Sequence, residues 1–343
     1  MKVRDERRLT TRGKLTAPGG PDSRAPGALL RPTKARLERR PTPRRLGGLV
    51  VVPLLRMLAL LPLRWAQALG VAVGSLVWLI PPLSRRARRL SHVNLAIAFP
   101  QMPRAERRRI ARCAFLHLCR TVAELGAMWT WDVERIRALV VEVDGQEVLD
   151  DAFARGGVIL AAPHLGAWDL AGFVTGLGRD AAALYRPPRD AALEEFSKRG
   201  RERGGARLVR PSGEAVRTLL RTLRRGGIVM ILPDQDAGDG AGIFVPFFGE
   251  LANTTVLVSR LASRCDARVV FAFAERLPAG RGFRLCYRAA SPGLYGDLEQ
   301  SAMALNGDIE NLVRELPEQY LWSYKRFRIR PPGLEDLYRE ERD

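Results

Sequence analysis

The apolar run GVILAAP (157–163) leads straight into HLGAWDL, so His164 stands where a strand would stop and Asp169 follows five residues later. On a regular helix five residues turn the chain by about 500°, which leaves the two side chains about 140° apart. On a turn that opens a helix they can meet. A histidine held by a carboxylate is oriented, fixed in its tautomer and made more basic, as a general base requires. No serine or cysteine sits beside it in a nucleophile elbow, so a base acting on the substrate's own hydroxyl fits better than covalent catalysis. The spacing alone is equally compatible with an ordinary strand-end histidine. Asp234 and Asp236 follow a second apolar run, GIVMILP (227–233), in a glycine-rich turn that continues to PFFG. Without a His or Glu cluster to complete a metal site, they read as loop-organising groups, with Asp236 lining the site. His92 and His117 have no acidic partner at a useful spacing. The four cysteines (Cys113, Cys119, Cys265, Cys286) show no short paired spacing, so free thiols are expected rather than a zinc site or a disulfide framework.

These residues need elements to position them. Beyond residue 138 the chain alternates short β-like runs with helical ones. The predicted strands are 139–143, 157–163, 181–186, 227–233, 267–275 and 283–289; the predicted helices are 191–203, 213–224, 254–264 and 298–315. This alternation predicts an α/β layer architecture with a mostly parallel central sheet flanked by helices. Such sheets carry their sites at the C-terminal ends of the strands, where His164 falls. Residues 84–130 read as helix, broken at FPQMP.

The 343 residues carry a formal charge of +19, unevenly spread. Residues 1–45 hold 14 Lys/Arg against 4 Asp/Glu, and residues 84–112 hold 9 Arg against Glu106 alone. Between these blocks lies the most apolar stretch of the chain, 46–83, interrupted by Pro53, Arg56 and Arg64. Each half approaches the roughly 20 residues of a bilayer crossing but is short of it. Arginines on both flanks direct both ends to the cytoplasm, which favours a re-entrant or in-plane anchor over a single span. A buried core helix pair and a single crossing are the competing readings. A nucleic-acid partner would need the charge spread over a groove-sized face with a recognisable reading element, and none is legible. An anionic membrane surface suits the pattern better. The predicted organisation is a disordered basic tail (1–45), a membrane anchor (46–83), a catalytic domain (84–335) and a C-terminal tail (336–343).

HLGAWD matches the HxxxxD pattern of glycerolipid-type acyltransferases. NLAIAFP (94–100), YRPPRD (185–190), LPDQDAGDGAGIFVPFFGELANTT (232–255) and PEQYLWSYKRFRIRPPG (317–333) extend the resemblance to the late (secondary) acyltransferases of lipid A biosynthesis, over about residues 46–335. The resemblance implies transfer of a fatty acyl group from acyl carrier protein, or less often coenzyme A, to a hydroxyl of a lipid A precursor at the cytoplasmic face of the inner membrane. No metal or other cofactor is implied. His164 and Asp169 match the family's catalytic pair. Arg186 and Arg201 fall where a family member would use arginine against a phosphorylated acceptor or a developing oxyanion, a task for which its planar fork is suited; the helix that opens after His164 is expected to stabilise that oxyanion, with Arg186 beside it. Arg201 also reads as one of a basic run on a solvated helix. Asp236 and Arg326 complete the expected substrate-binding set. Arg326 belongs to an alternating basic face with Lys325, Arg328 and Arg330, for which solvation or contact with anionic lipid or carrier protein are both open. Phe244, Phe247 and Phe248 read as core packing or as contacts for an acyl chain. Another lipid acceptor (a phosphatidylinositol mannoside, an ornithine lipid or a lysophospholipid) would keep the chemistry, and a non-catalytic membrane-surface protein would keep the fold.

Overall fold

The computed structural model describes residues 45–339. The tail predicted over 1–45, apart from Arg45, and the last four residues of the C-terminal tail lie outside the described residues. Four helices open the described residues: α1 (Arg45–Ala59), α2 (Leu63–Leu79), α3 (Pro81–Ala98) and α4 (Arg104–Thr130). Prolines set their starts. Pro62 and Pro103 are the N-caps of α2 and α4, and Pro81 opens α3, positions where a missing N–H breaks no helical bond.

The longest helix, α4, is the surface on which α1 and α2 pack. The contact runs backbone to backbone: a Cβ on Gly126 would lie 2.0 Å from the Leu55 carbonyl oxygen, and one on Gly70 2.9 Å from that of Cys119. With small residues taken up at this seam, most of the large apolar ones face outward. α2 buries Ala66, Gln67, Gly74 and Trp78 while Trp65, Leu69, Val73, Leu76 and Leu79 are exposed. This inverts the usual pattern of a soluble amphipathic helix. Among the described residues no single helix is long and apolar enough to cross a membrane, and α2 and α3 meet at 95°. The stretch expected to anchor the protein therefore forms short helices with apolar outer faces, and the bent α2–α3 pair together has the length and composition of a broken span or a re-entrant loop.

After α5 (Val133–Arg137) come β1 (Val140–Asp144), α6 (Gln146–Ala154), β2 (Val158–Ala161), α7 (Trp168–Gly176), β3 (Ala181–Leu184), α8 (Ala191–Glu202), β4 (Arg207–Val209), α9 (Gly213–Arg224) and β5 (Ile228–Ile231). The hairpin β6 (Gly242–Phe247) and β7 (Glu250–Thr255), α10 (Leu257–Cys265), β8 (Arg268–Arg276), β9 (Phe283–Ala289) and α11 (Leu298–Glu315) complete the order. Seven strands form one sheet, β1-β9-β8-β2-β5-β3-β4, parallel at every pairing except β8 with β9. The mostly parallel α/β sheet that the alternation predicts is present, with all six expected strands. β4 and the β6–β7 hairpin are additions.

β2 and β5 are apolar throughout and buried throughout, as central parallel strands must be. Their residues alternate between two cores. Ile159, Ala161, Val229 and Ile231 pack with Leu219, Leu261 and Leu305 on one face; Val158, Leu160, Ile228 and Met230 pack with Leu149 and Leu170 on the other. The two strands run side by side with Ala161 opposite Ile231, so the loops that leave their C-terminal ends begin as neighbours.

Candidate active site

The carboxylate on His164 is Asp234. Asp234 Oδ1 lies 2.8 Å from His164 Nδ1, and Asp234 Oδ2 accepts the His164 backbone N–H at 2.9 Å. His164 is 14% exposed in its side chain and Asp234 2%. Burial by itself would raise the Asp234 carboxyl; the imidazole and the hydrogen bonds from His164 outweigh it and hold the carboxyl below its ordinary value. An ionised carboxylate only accepts, so Nδ1 carries the proton and the Nε2 lone pair is left for chemistry. The amide nitrogen of Gln235 sits 3.1 Å from that Nε2, and the indole of Trp168 packs beside the ring with centroids 5.0 Å apart.

The loop that presents His164 is fixed by backbone bonds. Leu321 N–H donates to the His164 carbonyl, Gly166 N–H to the Gln319 carbonyl and Ala167 N–H to that of Ala274. Gly166 is required here: its φ is +59°, and a Cβ would fall 2.2 Å from the Ala274 carbonyl oxygen. Tyr320, buried in the C-terminal segment that pairs with this loop, has its phenol pushed well above the ordinary value by burial and then by the Asp234 charge.

Asp169, expected to hold the imidazole, does not meet it. It lies in the first turn of α7, where Arg201 of α8 grips it with both Nε and Nη2 (3.0–3.2 Å) and Trp129 Nε1 donates at 3.3 Å. Arg201 in turn lies over the rings of Trp129 and Tyr185, at 5.1 and 5.6 Å. It is therefore not a solvated member of a basic run. Arg186 is exposed on the lip of the cavity described below.

Asp236 lines the same cavity, yet its carboxylate is engaged by the backbone N–H groups of Gly238 and Ile329 and by Arg328. Arg326 departs from the expectation of a lipid contact. It is 3% exposed and donates to the Asn253 carbonyl, Thr254 Oγ1 and Asn306 Oδ1, stapling the C-terminal segment to the hairpin and α11. Phe247 and Phe248 belong to the core beside Trp322 and do not reach the cavity. His117, in α4, is pushed down to about 3 by burial, Arg276 and Arg120.

His164, Asp169, Arg186, Arg201, Gln235 and Asp236 all open onto one cavity of about 530 Å³. Its other walls are largely apolar, including Phe173, Leu184, Leu208, Met230 and Leu257, and among the described residues its lining holds neither serine nor cysteine. Asp234 and Gln235 were not expected as site residues, although a signal exists. GVILAAPH and GIVMILPD share a glycine, five residues, a proline and then the functional group. Two such runs paired in parallel deliver His164 and Asp234 side by side.

The site is thus a histidine held by a carboxylate, at the C-terminal edge of a parallel sheet and at the mouth of a largely apolar cavity. The chain belongs to the bacterial lipid A biosynthesis acyltransferases, whose sequence profile matches residues 34–329. It is 30% identical over 275 residues to the lipid A biosynthesis palmitoleoyltransferase of Escherichia coli (strain K12), covering 79% of this chain and 87% of the relative. To the lauroyltransferase of the same strain it is 30% identical over 282 residues (81% and 90%), and to the myristoyltransferase 28% over 301 residues (82% and 92%).

Proposed function

We propose that the protein transfers a fatty acyl group from the thioester of acyl carrier protein to a hydroxyl of a lipid A precursor at the cytoplasmic face of the inner membrane, with His164 as general base. The observation that carries this reading is the pairing of His164 Nδ1 with Asp234, which leaves Nε2 directed at an apolar cavity. The acceptor oxygen attacks the thioester carbonyl as its proton passes to Nε2. Asp234 holds the ring in the productive tautomer and offsets the imidazolium charge. Asp169 acts through Arg201, which it keeps in place against the aromatic wall of the cavity. Arg186, exposed at the lip, suits a phosphate on the acceptor or an acidic carrier.

The membrane role rests on the exposed apolar faces of α1 and α2, bordered by the arginines of α3 and α4. His92 registers that local field, since after burial its proton affinity is lowered chiefly by Arg108, Arg88, Arg107 and Arg104. The helices act as a re-entrant or in-plane anchor, since none of them alone is long and apolar enough to cross. The test is turnover of an acyl carrier protein thioester with a lipid A precursor by purified protein. His164→Ala should lower kcat by roughly 10²–10⁴-fold with the fold intact. Near wild-type turnover by a folded His164→Ala protein would refute the reading.

A further inference from the structure

Resting on that reading, we infer that Gln235 is a further catalytic residue: its carboxamide covers Nε2 of His164 in the free enzyme, gives way to the acceptor hydroxyl, and then donates an N–H to the thioester oxygen as charge develops there.

The first part follows from geometry. With the proton on Nδ1 facing Asp234, Nε2 is an acceptor, and the group 3.1 Å from it is the Gln235 amide nitrogen. That is hydrogen-bond distance, so the amide occupies the place an acceptor hydroxyl must take before His164 can remove its proton. Binding of the acceptor displaces the carboxamide.

The second part follows from an inventory of donors. The tetrahedral oxygen needs N–H groups near the reacting carbon, and those of the loop that directly follows His164 are committed. Leu165, Gly166 and Ala167 donate their backbone N–H groups to Pro163, Gln319 and Ala274. Arg201 is bound to Asp169, and Arg186 lies out at the lip. Trp168 and Gln235 both touch the base and line the cavity, and of the two it is Gln235 whose amide sits at hydrogen-bond distance from Nε2. Its backbone is held on both sides: the Asp234 carboxylate takes the His164 N–H, the Asp236 carboxylate takes those of Ile329 and Gly238, and the Asp236 N–H donates to Tyr324 Oη. The loop stays fixed while the side chain turns, which leaves a pre-positioned amide donor within one side-chain rotation of the base.

The bonds balance with no outside reagent. The hydroxyl oxygen forms a C–O bond to the thioester carbon, its proton moves to Nε2, and the carbonyl π pair becomes the oxyanion that accepts the Gln235 N–H. When the C=O re-forms, the C–S bond breaks and the thiolate takes the proton from Nε2.

Two measurements on the full-length protein test this. The first is carbethoxylation of His164 by diethyl pyrocarbonate, followed by peptide mass spectrometry. Loss of the cover in Gln235→Ala should speed modification at His164 several-fold, with His92 serving as the internal reference. The second is steady-state acyl transfer by Gln235→Ala and Gln235→Glu. Loss of an oxyanion donor should lower kcat on the order of 10²–10³-fold with the acceptor KM nearly unchanged. Gln235→Glu, which keeps the shape but has no N–H and adds negative charge beside the oxyanion, should lose at least as much. If His164→Ala is inactive while Gln235→Ala keeps kcat within about threefold of wild type, or loses only KM, this inference fails and the general-base reading survives. Equal carbethoxylation rates in Gln235→Ala and wild type would overturn the cover. If His164→Ala itself retains activity, the failure belongs to the general-base reading.

Discussion

His164 and Asp234 each stand three residues beyond a paired strand end, Ala161 of β2 and Ile231 of β5, and those two ends are in register. The sheet thus sets the pair as firmly as it sets its own hydrogen bonds. Asp234→Asn keeps the volume but can turn its NH₂ toward Nδ1, which forces the proton onto Nε2 and removes the base. It should lower kcat on the order of 10³-fold, by the tautomer argument. Asp169→Asn leaves the imidazole's carboxylate untouched and should cost less, no more than about 100-fold through misplacement of Arg201. The kinetics of the two variants side by side check this, and a larger loss for Asp169→Asn would sink the assignment of Asp234.

Arg201 and Asp169 should behave as one unit. Removing either leaves the other beside Trp129 without its partner, so the two single losses should not add. In a cycle of Asp169→Ala, Arg201→Ala and the double variant, chemical denaturation should give a coupling of about 1–2 kcal/mol, within the usual range for contacting charged pairs. Additive losses would mean that the bidentate contact contributes nothing to the folded state.

The fold class was legible because β2, β5 and β8 are nearly pure apolar runs separated by helical periods, a pattern that burial on both faces of a parallel sheet imposes. β4 escaped notice because three residues, Arg207 to Val209, carry no period. The β6–β7 hairpin was hidden because the glycine-rich turn after Asp236 runs into PFFG, whose phenylalanines read as core packing or acyl-chain contacts rather than as a strand period. His164 was legible from its place after β2. Its partner was not, because chain distance favours Asp169 while space favours Asp234, and only the strand order decides between them. Arg326 misled for a similar reason. Alternation along 325–330 resembles an exposed basic face, whereas Asn253, Thr254 and Asn306 form a polar socket that only the tertiary structure assembles.

The buried His117 predicts how stability depends on acid. Folding holds it neutral with a pKa near 3, while in the unfolded chain it titrates near 6.5. The unfolded state therefore binds the extra proton, and this contribution to stability is complete above about pH 6.5 and is lost as pH falls toward 3. Each pH unit in that window costs about 1.4 kcal/mol at most, per titrating group. His117→Gln, which keeps an acceptor for Arg120, should flatten the fall of the melting temperature between pH 6.5 and 4. An unchanged slope would mean that another group sets it. Below about pH 4 the depressed Asp234 carboxyl adds a second loss of the same sign, which Asp234→Asn should remove.

The apolar outer face of α2 predicts the mode of membrane binding. Leu69, Val73 and Leu76 are exposed at helical spacing on one side of α2, and Trp65 beside them is 58% exposed. Covering a Leu or Val side chain is worth about 1.5–3 kcal/mol, and a charge in its place opposes insertion into the acyl boundary. Val73→Glu with Leu76→Glu should therefore cut binding to anionic lipid vesicles at least tenfold in a flotation assay, while thermal stability stays near wild type because neither side chain packs in the core. The pair Val141→Glu and Val143→Glu, which alters exposed valines on the edge strand β1, is the control and should leave vesicle binding unchanged. On the in-plane form of the anchor proposed above, a protease added to only one side of a sealed vesicle should reach every cleavable site of the bound protein. A fragment between residues 45 and 98 that is protected from one side and cut from the other would show a crossing and overturn the in-plane arrangement.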